Sequence, residues 1–279
     1  MSNRQNRRQI LVFILLVLGL SYLIFWGPIA LLKLKTANLV EGKIYNIPAF
    51  ILFLIGGFVP SIAGLLLTRI YDNKSGLREL LKSAVNYRIG LQAFLIILIC
   101  PVVTGMLQII ILRFTGASFD YSQFIRQLPS ILPLIILGPL SEEFGWRGFL
   151  QKRVNTEFTP VTGSIIIGVA WALWHLPLFY LPGTSQHDFN IPFIPFFFSL
   201  VFTSFIYTWV YIRSHESLFS AILLHWVGTY IMQVISSQVT RTAAYNYLEV
   251  LPAVLIGTVF IILLSKRRTA LPAGDSTAG

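Results

Sequence analysis

Long apolar runs alternate with short polar segments along the whole chain. Runs long enough to cross a bilayer lie at about 9–32, 47–68, 90–112, 128–150, 161–181, 191–212, 217–236 and 249–265. A helix needs roughly 17–25 apolar residues to cross the ~30 Å hydrocarbon core, so the pattern predicts about eight spans in an all-α, polytopic transmembrane helical bundle. The one sizeable polar connection, YDNKSGLRELLKSAVNYRIG, places Leu77, Leu80, Leu81, Ala84 and Val85 at helical spacing. That spacing predicts a short amphipathic helix on the membrane surface. No internal repeat or soluble domain is legible, so residues 1–279 read as a single transmembrane domain, with 269–279 as a small, polar, disordered tail.

Composition agrees with the pattern. The chain is 55% hydrophobic and only 11% charged, too apolar for a water-soluble domain of 279 residues. The basic head and long apolar body at the N-terminus resemble a signal sequence, but the body is too long and no cleavage site follows, so a retained first span is expected. The net charge of +10 brings no aromatic-interleaved basic patch, which argues against a nucleic-acid partner. It reads instead as topology. With the N-terminus inside, all of the 21 Lys and Arg except Lys33, Lys35, Lys43, Arg113, Arg126 and Arg241 fall on the inner side. The positive-inside rule then sets both termini in the cytoplasm of a cell, taken to be bacterial, with any polar site opening to that side. Cys100 is the sole cysteine, so no disulfide forms within the chain.

Ionisable side chains inside a bilayer cost at least ~2.5 kcal/mol each and persist where they face protein or trapped water. The predicted spans hold Glu142, Glu143, Arg147, His175 and His225. Glu143 and Arg147, four apart with the acid first, share a helix face in the order that favours an ion pair. Glu142 is rotated ~100° from its neighbour and has no counter-charge in its own helix, which makes it the candidate general base. His175 lies four residues after Trp171, which should pack beside the imidazole. His225 and Thr229 share a face, with Gly228 leaving room for a close backbone approach. Singly, each histidine fits a structural role; together with Glu142 they could hold a water against a peptide carbonyl.

These residues carry a resemblance. Glu142-Glu143-x-x-x-Arg147, Trp171-x-x-x-His175 and His225-x-x-x-Thr229 resemble the three ordered motifs of the CAAX protease and bacteriocin-processing (CPBP, or Abi) family of intramembrane proteases, over a core of about 127–236. The resemblance implies that Glu142 activates a water, that His175 and His225 position it or bind the substrate carbonyl, and that Glu143 with Arg147 braces the site. It implies as partners the lipid bilayer and a peptide or protein substrate at the membrane, with prenylated chains one branch of the family's substrates. The family's second motif usually begins with Phe, where this chain has Trp171. Its third often ends in Asn, where Thr229 offers a shorter hydroxyl donor.

Metal dependence stays open at this stage. Glu142, His175 and His225 would form a reasonable zinc site with an open position for water, whereas the His-Glu-x-x-His signature is absent. Two further functions compete with proteolysis: a non-catalytic immunity or scaffold protein of the same fold, and a proton-coupled transporter, since buried Glu and His also form proton relays.

Overall fold

The computed structural model describes residues 3–38, 43–120, 138–236 and 238–266. Residues 128–137 of the expected fourth span, Arg126 and the expected tail at 269–279 lie outside them. Among the described residues, seven helices are long and apolar enough to cross a membrane, close to the eight expected. They are α1 (Arg4–Leu31), α2 (Ile47–Tyr71), α4 (Leu91–Thr115), α6 with the turn that follows it (Pro160–Tyr180), α7 (Phe193–Arg213), α8 (Leu218–Ser236) and a final pair, α9 (Ala243–Leu248) with α10 (Leu251–Ser265). The amphipathic segment forms α3 (Asn73–Ser83), and α5 covers 138–157. Large apolar side chains such as Leu23, Leu31, Phe114 and Leu255 point outward and exposed, as lipid-facing residues must. The protein is an integral membrane protein.

Polar contacts define the two faces of the bundle. On one, Asn6 donates to Thr156, Arg153 pairs with Asp72 at 2.9 Å, and the Ser217 hydroxyl donates to the carbonyl of Asn86. This face gathers the start of α1, helix α3, the end of α5 and the α7–α8 turn. On α3, Leu80 is buried against the bundle while Leu81 is left exposed, as a surface helix requires. The opposite face holds two short strand pairs, β1 (Ala37–Asn38) with β2 (Lys43–Ile44) and β3 (Ser118–Phe119) with β4 (Val239–Thr240). There the Thr242 hydroxyl donates to the carbonyl of Thr115, and Asn246 donates to that of Phe189. Helix α10 runs back from this side, so both described chain ends emerge on the first face.

Three local features set the site. In α5 the helix widens into a π-helical stretch at Phe144–Gln151, a form common at functional positions. This stretch lies directly on α2: a Cβ on Gly145 would stand 2.2 Å from the Pro60 carbonyl oxygen, and one on Gly64 would stand 2.5 Å from that of Phe144. Only paired glycines allow two backbones to approach so closely. Helix α6 starts where the Thr159 hydroxyl accepts from the amide of Thr162 and Pro160 fits the first turn. It ends at Trp174, because Pro177 cannot continue the ladder, and a 3-10 turn follows at Leu176–Tyr180. The run expected as a continuous span over 161–181 therefore presents His175 at a helix terminus.

Candidate active site

The two glutamates of α5 point into different surroundings. Oε2 of Glu142 accepts from the indole N–H of Trp146, one turn along, at 3.2 Å, and from that of Trp171 on α6 at 2.6 Å. Among the described residues Glu142 forms no ion pair, in keeping with the missing counter-charge on its own helix, but two neutral donors hold one of its oxygens. Glu143 is fully buried, and its Oε1 accepts from Nη1 of Arg147 at 2.9 Å and Nδ1 of His225 at 2.6 Å. The Arg147 side chain is equally buried. Its Nε and Nη2 have no hydrogen-bond partner among the described residues; its guanidinium instead lies over the rings of Tyr207 at 3.8 Å and Trp171 at 4.5 Å. Cation–π attraction of this kind is strengthened by desolvation.

The histidines are oriented by what their Nδ1 atoms touch. Nδ1 of His175 lies 2.8 Å from the carbonyl oxygen of Trp171. A carbonyl only accepts, so Nδ1 carries the proton and Nε2 is left as an acceptor in the neutral ring. His225 donates from Nδ1 to Glu143 in the same sense. Trp171 is the hub of the group: its ring centroid lies 6.0 Å from that of His175, 5.7 Å from His225 and 5.7 Å from Tyr207, all edge-on.

Glu142, Trp171, His175, His225 and Thr229 all line one cavity of about 380 Å³. Glu143 and Arg147 lie behind its wall. Gly228 also lines the cavity, and a Cβ there would meet nothing within 4 Å. The close helix approach expected at Gly228 is therefore replaced by open space, since this side of α8 borders the cavity. The lining continues past Thr104 and Gln108 of α4 to Ser185, Gln186, Arg241 and Glu249, which belong to the opposite face. Trp146, Tyr207 and Gln108 had not been singled out from sequence. Trp146 stands four residues after Glu142, the same spacing that paired Glu143 with Arg147, so a signal existed. Tyr207 is one aromatic among many on α7 and carries none.

Among the described residues, no three His, Cys, Asp or Glu side chains converge closely enough to hold a metal ion. One oxygen of Glu142 is already turned to two indole donors. As placed, these side chains do not fit a metal cage of two histidines and a carboxylate.

A carboxylate and two imidazoles on an internal, mainly apolar cavity of a helical membrane bundle suit hydrolysis within the membrane as well as proton transfer. Comparison narrows the choice. The family model for type II CAAX prenyl endopeptidase Rce1-like proteins matches residues 124–231. CAAX prenyl protease 2 of Methanococcus maripaludis is 26% identical over 181 residues, which cover 60% of this chain and 67% of that protein. Lysostaphin resistance protein A of Staphylococcus haemolyticus is 25% identical over 215 residues, covering 76% of this chain and 57% of that protein, so the match spans little more than half of the second relative. These matches support, over residues 124–231, the resemblance to the CAAX protease and bacteriocin-processing family that the three motifs carry.

Proposed function

We propose that this protein is an intramembrane endopeptidase in which Glu142 activates a water to hydrolyse a peptide bond. The observation that most supports this reading is the shared cavity: Glu142, His175, His225 and Thr229, carried by α5, the end of α6 and α8, line the same internal space. With Oε2 held by two indoles, Oε1 has no partner among the described residues and takes the proton from the attacking water. An imidazole Nε2 accepts the water's other hydrogen and fixes its orientation. The water oxygen bonds to the carbonyl carbon as the C=O electrons move to oxygen, where the Thr229 hydroxyl donates to the developing charge. Glu142 then passes its proton to the amide nitrogen as the C–N bond breaks. Glu143, bonded to both Arg147 and His225, positions the His225 ring. No step is routed through a metal.

The basic residues support a cytoplasmic location for both termini. The substrate is a peptide or protein segment held at the membrane, with lipidated chains among the candidates. A second reading, a membrane protein of the same fold that acts by binding, is favoured by two observations. One relative is named for lysostaphin resistance rather than proteolysis, and Thr229 replaces the amide often found at the end of the third motif.

A peptide-library screen on the purified protein in liposomes, run beside Glu142→Gln, separates the two. The protease reading expects products from the wild type that vanish with the variant. Retention of a peptide by both proteins without cleavage supports the binding reading.

A further inference from the structure

A serine or threonine within a membrane helix commonly turns its hydroxyl back to the carbonyl four residues earlier. Thr104 does so to Cys100 at 2.8 Å, Ser204 to Leu200 at 3.0 Å and Thr258 to Val254 at 2.7 Å. Ser199 and Thr203 of α7 depart from that habit. Both line the cavity that holds Glu142, and neither hydroxyl has a hydrogen bond among the described residues. Gln108 of α4 lines the same cavity. It is 3% exposed, and its Oε1 is buried with no partner among the described residues. Burying an amide unpaired is destabilising, so Gln108 weakens the fold unless another group bonds it.

Spacing indicates which group that is. At the level of the histidines, the ring of Tyr207 lies 6.2 Å from that of His225. Thr203 stands one turn from Tyr207 along α7 and Ser199 two turns, on the same face, so the two hydroxyls are about 6 Å apart along the axis. An extended peptide rises ~3.3 Å per residue and turns the N–H and C=O of alternate residues to the same edge, so that edge repeats every ~6.6 Å. The two periods nearly coincide. A helical peptide offers no such edge, because its N–H and C=O groups bond each other. We propose that Thr203 and Ser199 hold the backbone of an extended peptide substrate at alternate residues, and that Gln108 accepts an N–H of the same segment. This inference rests on the protease reading of the cavity. The three side chains set the register of the scissile carbonyl against Glu142 and carry no proton in the reaction.

Peptide binding to the purified full-length protein tests it without requiring cleavage. The ligand is a fluorescein-labelled pool of peptides of about ten residues, long enough at ~3.3 Å each to span both hydroxyls, and the readout is fluorescence polarisation. Thr203→Val keeps the side-chain shape and removes the hydroxyl; Gln108→Met keeps the length and removes the amide. Each should raise the dissociation constant about three- to tenfold, the range of one hydrogen bond. Thr203→Ser should restore the wild-type value. Gln108→Met should also raise the thermal midpoint, since it deletes an unpaired buried amide, which a merely structural glutamine would not do. A dissociation constant within error of the wild type for either folded variant overturns the proposal, as does a wild type that retains no peptide. Where the pool is cleaved, the loss should fall on KM and leave kcat unchanged; a fall in kcat alone overturns the assignment. Absence of cleavage by every protein counts against the protease reading, and the binding comparison still decides this one.

Discussion

The indole N–H of Trp171 donates to Oε2 of Glu142 across 2.6 Å, joining α6 to the glutamate of α5. A phenylalanine, the family's usual residue there, fills similar space and offers no such donor. Trp171→Phe should therefore keep the ring packing against both histidines while freeing Glu142 to rotate. Hydrogen bonds to charged groups contribute about 1.5–3 kcal/mol, so kcat/KM should fall about tenfold or more in a protein that remains folded. An unchanged kcat/KM would show that the indole contributes packing alone.

Arg147 and Glu143 stand or fall together. Removing one partner of a buried pair costs ~3–5 kcal/mol, because the other charge is left uncompensated. Glu143→Gln should thus lower the thermal midpoint in detergent sharply. Adding Arg147→Met should recover part of the loss. A double variant less stable than either single one would contradict this account.

The contact between Gly145 and Pro60 predicts a steric effect. Gly145→Ala drives a methyl against backbone at 2.2 Å, and such overpacking costs about 1–3 kcal/mol. Gly57→Ala on the same α2 helix meets open space and should be neutral or slightly stabilising. Thermal unfolding of the two variants side by side measures the difference.

Chelation offers a fourth check. Because these side chains as placed do not form a metal cage, prolonged treatment with a strong chelator should leave peptide cleavage intact. Loss of cleavage that added zinc restores would show that they rearrange around a metal.

The fold was largely legible because apolar length determines spans, and the in-span Glu and His residues marked the site because a bilayer penalises them. Two things were hidden. Pro177 shows in the sequence that α6 must end early, but not that the helix terminus turns His175 into the cavity. The course of the cavity lining depends on how α4, α8 and the 185–191 turn pack together, a tertiary relation between Gln108, Gln186 and Arg241 without local signature. Span counting ordered the helices between two faces; it carried no information on which side chains from separate helices share the cavity.

The most direct measurement is the single-turnover cleavage rate of Glu142→Gln beside the wild type, both shown by thermal unfolding to be equally folded. The account predicts a loss of about a thousandfold, the order a general base contributes, with the thermal midpoint little changed. Cleavage within a few-fold of the wild type would mean that another group activates the water.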